Sequence, residues 1–201
     1  MKLSSLLFMV TISLCASLCC PEENDFGPTI FIENENLIQV ENSETTFNLN
    51  ESIVIETTIN NSQTTTSGET ILLTDLFYND SLEDAFLQFD VSLFKETGFG
   101  TLSPISLTQD AVTNDFGQVE VNSQFNLVRA FYDETTHSFR SRFSINLRES
   151  GTFFLANSRF GFNDFTQVII SGGVYELGFV ELRTSIENAN AEGAYEFQVI
   201  E

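Results

Sequence analysis

The sequence predicts an all-β protein, folded as a single antiparallel β-sandwich of about ten strands. Apolar and polar side chains alternate with a period of two along most of the chain, which is the pattern of strands that bury one face. Turn segments rich in Asn, Ser, Thr and Gly, such as "NNSQTTTSG" and "SGG", recur between these strands. The chain has 21 Phe and no Trp, and Phe, which lacks a polar atom, prefers a buried position between sheets.

Five segments alternate most regularly. Their expected buried rows are Ile53, Ile55, Thr57 and Ile59; Leu87, Phe89, Val91 and Leu93; Val119, Val121, Ser123, Phe125 and Leu127; Phe139, Phe143, Ile145 and Leu147; and Tyr195, Phe197 and Val199. Shorter candidate strands are 37–40, 46–49, 69–77, 152–156, 166–171 and 174–182. We therefore expect strands over nearly the whole chain from residue 37 to residue 201.

We expect residues 119–131 and 139–149 to pair as a hairpin around "YDETTHS". The buried rows match if Leu127 lies opposite Phe143, because a slip of one residue would place apolar side chains opposite polar ones. In this register Arg129 falls on the inner face near the end of the hairpin.

Two segments interrupt the strand pattern. "NDSLEDAF", residues 79–86, is the one helical signal, with Ser81 and Asp84 spaced as in a capping box. "KETGFGTLSP", residues 95–104, is the one candidate domain boundary. A division there would leave about 60 residues on the N-terminal side, too few for an independent core without disulfides. We predict one domain.

The chain is strongly acidic, with 8 Lys and Arg against 29 Asp and Glu. Removal of an N-terminal signal that contains Lys2 leaves 7 basic residues and a net charge of −22. This charge repels nucleic acid and anionic lipid head groups over a Debye length of about 8–10 Å. We therefore expect no nucleic-acid partner, whereas divalent cations are compatible with the charge.

The N-terminus has the pattern of a cleaved export signal. Lys2 precedes an apolar stretch of 12 residues, Leu3 to Leu14, which is shorter than the ~20 residues of a membrane-spanning helix. All three cysteines lie at positions 15, 19 and 20, so the mature chain forms no internal disulfide. An ordinary secretory signal with incidental cysteines is the alternative interpretation.

The segment "ASLCC", residues 16–20, resembles the cleavage box of bacterial lipoproteins, in which an acylated cysteine becomes the new N-terminus. The resemblance implies lipidation of Cys20, with Cys19 as the alternative, and hence a membrane partner through the lipid anchor. On this interpretation the chain divides into a lipoprotein signal peptide (1–19), an acidic flexible tether (20–36) and a β-sandwich domain (37–201).

Two further resemblances concern location and architecture. "PEEND", residues 21–25, resembles the acidic tags that one group of Gram-negative lipoproteins carries after the cysteine. This implies an outer-membrane protein displayed on the cell surface, with the periplasmic face as the alternative. "ESGTFFLAN" and "EGAYEFQVIE" resemble the late strands of immunoglobulin-like bacterial domains, which implies a fold but no activity.

The sequence predicts no enzyme. His137 is the one histidine and falls in the predicted loop "DETTHSF", where we expect an exposed turn residue. No Gly-x-Ser-x-Gly elbow accompanies it, and no cysteine follows Cys20. With these groups excluded, neither a serine triad, a cysteine nucleophile nor a histidine zinc site can be assigned.

Two weaker sites are predicted. "DAVTNDFGQVE" holds four oxygen donors around a Gly-containing turn, the ligand chemistry of calcium: Asp110, Asn114, Asp115 and Glu120. Their spacing differs from that of an EF-hand, so calcium is the one cofactor considered. "DSL", residues 80–82, resembles an acceptor motif for O-linked glycans in some Gram-negative bacteria, which implies modification at Ser81.

The sequence thus favours a non-catalytic surface lipoprotein that serves as a binding, spacer or accessory module and contacts another envelope protein. The alternative is a glycan-binding accessory lipoprotein of a polysaccharide-uptake system. The absence of Trp counts against it, because sugar platforms use aromatic rings with a polar atom. A shallow surface with Tyr78, Tyr132 or Tyr175 beside carboxylates would favour it.

Overall fold

The computed structural model describes residues 27–122, 125–158 and 166–201 and has an all-β fold, as predicted. The described residues form a curled sheet of 14 strands and a separate two-stranded hairpin. The strands are β1 (Thr29–Glu33), β2 (Ile38–Val40), β3 (Thr46–Asn48), β4 (Ser52–Asn60), β5 (Ser62–Thr64), β6 (Thr70–Leu72), β7 (Phe86–Glu96), β8 (Leu102–Pro104), β9 (Val112–Phe116), β10 (Gln118–Val121), β11 (Asn126–Asp133), β12 (Ser138–Asn146), β13 (Gly151–Ala156), β14 (Val168–Val174), β15 (Gly178–Thr184) and β16 (Tyr195–Ile200). This number exceeds the expected ten because β1, β5, β8 and β9 were not predicted and the predicted strand 119–131 is divided into β10 and β11.

The main path of the sheet runs β1-β15-β14-β7-β11-β12-β4-β2, and the other strands branch from it. Most neighbours are antiparallel, as predicted. The prediction is wrong for two pairs, since β1 runs parallel to β15 and β3 runs parallel to β16. Both pairs join a strand from the start of the chain to one from its end.

β7 connects the two parts of the curled sheet. Its first half pairs with β11 and β14, whereas its second half pairs with β13 and β8. Alternation stops where the strand passes from one part to the other, because residues 91–94 are all buried. Buried residues of both parts, such as Val128 and Phe153, belong to one apolar cluster.

The interior contains most of the rows that the alternation predicted. Phe143 and Phe197, two central members, are 0% and 1% exposed. The ring of Phe197 packs edge-to-face on Phe47 at 5.4 Å and is stacked with Phe153 at 5.6 Å, measured between centroids. Such aromatic pairs add about 0.5–1.5 kcal/mol each beyond the area that they bury. The expected phenylalanine core is correct only in part, because seven of the 36 buried apolar side chains in the described residues are Phe and most of the others are Ile, Val and Leu.

The predicted strand 119–131 is wrong, because the chain turns inside it. The Asn122 amide donates to the Phe125 carbonyl at 3.0 Å, and the segment forms two strands, β10 and β11, that pair with each other. The turn resets the alternation, so that Val119 lies opposite Val128 and both are buried. In β10 an odd-numbered residue is therefore buried, whereas in β11 the buried residues are even-numbered.

The predicted register of the next hairpin is wrong for the same reason. Leu127 is half-buried on the outer face, and Phe143 pairs with strands β4 and β9 instead. β11 meets β12 only near its end, where Phe131 lies opposite Arg140. This places Arg129 on the outer face, which removes the charged side chain from the core.

The helical signal "NDSLEDAF" forms a short 3-10 segment, Asn79–Asp84, with a kink at Ser81. The predicted capping box is wrong: the Ser81 hydroxyl donates to the Tyr78 carbonyl at 3.3 Å rather than capping the segment. A second 3-10 segment, Leu73–Leu76, replaces the end of a predicted strand. No helix in the described ranges is long and apolar enough to cross a membrane.

The folded chain begins earlier than the predicted tether allows. β1 lies within residues 20–36 and pairs along its whole length with β15, so Ile32 is 1% exposed. The candidate boundary at 95–104 is a β-hairpin in which β8 folds back on β7. One apolar cluster contains residues from both sides of this hairpin, such as Ile55 and Phe197.

Candidate functional site

Three of the four tyrosines gather at one end of the curled sheet. Tyr175 lies in the turn between β14 and β15. Tyr78 directly precedes the 3-10 segment Asn79–Asp84, which leads into β7. Tyr132 lies near the end of β11, which runs beside the start of β7 at Phe86. The Tyr78 hydroxyl donates to Oε2 of Glu176 at 3.3 Å, so Tyr78 is held beside the turn that carries Tyr175.

A groove of about 340 Å³ opens at this end between the 3-10 segment and β14. We call it the Tyr78 groove, and its lining includes Tyr78, Ser81, Asp84, Phe86, Gln88 and Phe179. Tyr78 is 47% exposed and Phe179 is 36% exposed. Aromatic rings therefore lie beside a hydroxyl, a carboxylate and an amide, a combination that suits a small ligand with both apolar and hydrogen-bonding faces.

Two glycines of β14 form one wall of the groove. A Cβ at Gly172 would lie 2.7 Å from Cδ2 of Leu87 and 2.8 Å from the carbonyl oxygen of Phe86. Gly173 has a φ of +127°, and a Cβ there would collide with the Gly178 carbonyl oxygen. Only glycine allows this close approach of strands, and the segment "SGG", expected as a turn, is in fact part of β14.

The charged groups that act on Tyr78 are carboxylates. Partial desolvation raises the pKa of Tyr78, and the carboxylates of Glu176 and Asp80 raise it further, so its hydroxyl stays protonated and able to donate. On the other side, the Arg129 guanidinium lies 5.4 Å from the centroid of the Phe86 ring. This cation–π contact fixes the ring that lines the groove.

The four predicted calcium ligands do not converge. Three of them form ion pairs with different arginines: Asp110 with Arg148, Asp115 with Arg142, and Glu120 with Arg129. The Asn114 side-chain oxygen accepts from the Val119 amide at 3.2 Å. Within the described part of the chain, no three His, Cys, Asp or Glu side chains form a group that could hold a metal ion.

The remaining predicted residues are dispersed. His137 is an exposed turn residue with a φ of +50°, as predicted, and its Nδ1 lies 3.4 Å from the Tyr132 hydroxyl. Ser81 lines the Tyr78 groove and is half-buried. Cys19 and Cys20 lie outside the described residues.

A second, smaller cleft of about 210 Å³ lies between the segment 105–111 and the strands β12 and β13. Leu93 and Phe153 form its apolar floor, and the Arg148 side chain at its edge is paired with Asp110 at 2.7 Å. A hydrogen bond from the Thr108 side chain, followed by the pairing with Arg148, holds the pKa of Asp110 below its ordinary value. No sequence signal pointed to this cleft.

Comparison with known proteins adds no relative. The chain matches no protein-family model, and no curated protein is significantly similar to it.

Of the three tyrosines that the sequence singled out, only Tyr78 lines the groove, and sequence reasoning missed its aromatic and amide members. Phe86 and Gln88 belong to the outer face of β7, which alternation alone marks as solvated. Phe179 lies on the outer face of β15. The one available signal was the pair of glycines before this strand, because glycine inside a strand marks a close backbone approach.

Proposed function

We propose that this chain is an exported, lipid-anchored and non-catalytic binding module of the outer membrane. The Tyr78 groove is the single observation that carries the binding role, because it combines exposed aromatic rings with hydrogen-bonding groups in a concave surface. Its ligand is a component of the envelope or a molecule that reaches it. The two parts of the curled sheet act as the layers of an immunoglobulin-like sandwich that presents this groove.

The pattern of charge supports a partner other than nucleic acid. Each Lys and Arg among the described residues lies in an ion pair with a carboxylate. These cations are therefore neutralised within the protein, and the surplus charge is negative. A phosphate backbone would meet repulsion without a compensating basic surface.

The anchor and the location rest on the N-terminal sequence. Acylation at Cys20, with Cys19 as the alternative, would hold the domain permanently at a membrane, because several acyl chains bind far more strongly than one. Surface display is the proposed orientation, and the periplasmic face is the alternative.

Mass spectrometry of the mature protein tests the anchor. We expect an N-terminus at Cys20 carrying acyl chains, and protease added to intact cells should remove the domain. An unmodified N-terminus beyond residue 20 would refute the lipid anchor. Protection from protease until the outer membrane is opened would instead place the domain on the periplasmic face.

A second candidate, glycan binding, is favoured by the contact between Tyr78 and Glu176. The 3.3 Å hydrogen bond between them holds a half-exposed tyrosine beside a carboxylate, which is the arrangement that would favour a sugar platform. Tyrosine can stack its ring on a sugar while its hydroxyl remains polar. Asp84 and Gln88 supply further hydrogen-bonding groups within the groove.

Binding to neutral oligosaccharides, measured by calorimetry or glycan array, tests this candidate. We expect Tyr78→Ala to weaken binding about tenfold, which is the lower part of the 1–3 kcal/mol range, about 1.4 kcal/mol, that stacking of a nucleic-acid base on an aromatic ring contributes. Tyr175→Ala removes a more exposed tyrosine from outside the groove lining and should leave the affinity unchanged. Equal losses in the two variants, or no binding by the unaltered protein, would exclude the Tyr78 groove as a glycan site.

A further inference from the structure

Gly27 and Pro28, the first described residues, are hydrogen-bonded to the turn between β14 and β15 and to the residue that follows it. The Gly27 amide donates to the Tyr175 carbonyl at 2.6 Å, and the Pro28 carbonyl accepts from the Phe179 amide at 3.0 Å. Gly27 is packed so closely on this turn that a Cβ would lie 2.6 Å from the carbonyl carbon of Leu177. Gly27 is therefore fixed to residues 174–178, which we call the β14–β15 turn.

The proposed acylation site is close to this point along the chain. Six residues separate Cys20 from Gly27. Whatever path they take, peptide geometry limits the distance between the two Cα atoms to about 25 Å. This is less than the length of β7, which spans about 35 Å at the usual rise per residue. The lipid attached to Cys20 would therefore lie within about 25 Å of Gly27 and the β14–β15 turn.

The β14–β15 turn exposes apolar and aromatic side chains. Tyr175 is 70% exposed and Leu177 is 38% exposed, and both belong to the β14–β15 turn. Tyr78, 47% exposed, is joined to the turn through Glu176. Tyrosines are enriched at membrane–water interfaces because their rings are apolar and their hydroxyls remain hydrated.

We propose that the β14–β15 turn is the membrane-contacting surface of the domain and that Tyr175 and Leu177 enter the lipid head-group region. This inference rests on the proposed lipid anchor at Cys20 and adds the orientation of the domain on the bilayer. The contact is brought about by the short tether, because a lipid surface within about 25 Å is always available to the turn.

The charge around the turn selects the kind of lipid. Glu176 belongs to the turn, and Asp80 acts on Tyr78 from the neighbouring 3-10 segment. These carboxylates are repelled by an anionic surface and tolerate a zwitterionic one. The partner is therefore a zwitterionic lipid interface.

The opposite end of the domain supplies a matched control. β7 begins beside the Tyr78 groove and ends at Glu96, three residues before Phe99 at the tip of the β7–β8 hairpin. Phe99 is 96% exposed, so it resembles Tyr175 as a substitution site but lies far from the turn. Because the chain has no Trp, Tyr175→Trp and Phe99→Trp each introduce a single indole.

The test uses the full lipidated chain in phosphatidylcholine vesicles that contain brominated lipids. We expect the indole of Tyr175→Trp to lose about half of its fluorescence through quenching in the interface, and that of Phe99→Trp to be unaffected. Replacing a third of the lipid with an anionic phospholipid should reduce quenching at position 175, since the adjacent carboxylates are repelled.

Flotation of the vesicles separates the two proposals. If the chain floats with the vesicles but position 175 is not quenched more than position 99, the orientation is refuted and the anchor stands. If the chain does not float, the anchor fails and this inference fails with it. Stronger quenching at position 99 would mean that the opposite end faces the lipid.

Discussion

Gly27→Ala tests the close packing of Gly27 on the β14–β15 turn. The new Cβ would collide with the Gly178 nitrogen and would lie 2.6 Å from the Leu177 carbonyl carbon and 2.7 Å from the Gly178 Cα. Ordinary contact begins at 3.4 Å, so these backbone segments would have to separate by roughly 1 Å. All three atoms belong to the backbone, so no side-chain rotation can relieve the clash.

Two effects set the size of the destabilisation. Inserting a methyl group into a packed site costs about 1–3 kcal/mol. Losing the hydrogen bond from the Gly27 amide to the Tyr175 carbonyl costs a further ~0.5–1.5 kcal/mol. The release of β1 limits the total, because β1 contributes chiefly the burial of Ile32, about 1.5–3 kcal/mol. We therefore expect a loss of about 2 kcal/mol in the free energy of unfolding.

Gly98→Ala is the control for this substitution. Gly98 lies in the β7–β8 hairpin, has no positive φ, and a Cβ there would meet no atom within 4 Å. Denaturant unfolding measures the two variants, and hydrogen exchange reports on the amides of β1. If Gly27→Ala and Gly98→Ala have the same stability, or if exchange in β1 is unchanged, the proposed packing at Gly27 is wrong.

Two further predictions concern the buried hydroxyl of Thr57 and the hydrogen-bonded carboxylate of Asp133. Thr57→Val should raise the free energy of unfolding by about 1 kcal/mol, because the Thr57 hydroxyl is buried without a partner in the described part of the chain. Thr58→Val, on the exposed face of the same strand, should change it by less than about 0.5 kcal/mol, and equal effects would contradict this reasoning. Asp133 has a pKa held below its ordinary value by the Thr136 hydroxyl, so its ionised form stabilises the native state above pH 3.8. The stability advantage of the unaltered protein over Asp133→Asn should therefore be present at neutral pH and vanish as the pH falls through the lowered pKa, and an advantage that persists in acid would exclude this origin.

Strands that bury one face could be predicted because burial leaves a two-residue period in the sequence. This is why the rows around Ile55 and Phe143 are correct. The period does not show where a strand ends within a polar segment. Because the chain reverses direction between Asn122 and Phe125, the buried residues of β11 are even-numbered and not odd-numbered as predicted. Parallel pairing of β1 with β15 joins residues about 150 positions apart, and no local pattern encodes such a contact.

Among the aromatic residues of the candidate site, only Tyr78 was predictable from the sequence. It stood out because an exposed aromatic residue with a hydroxyl suits binding. Phe86 and Phe179 lie on outer sheet faces, where alternation predicts solvent, and they face a groove only because a 3-10 segment lies above them. Sequence periodicity describes a single strand, whereas a groove is formed by elements distant in sequence.

The position of β7 at the junction of the two parts of the sheet constrains the order in which the protein assembles. Its partners β11, β13 and β14 all follow it in the chain, and β1 has to wait for β15. Closing such long loops makes assembly slow relative to local structure. A chain synthesised from its N-terminus would thus leave β7 without β14, and β1 without β15, until its last quarter emerges.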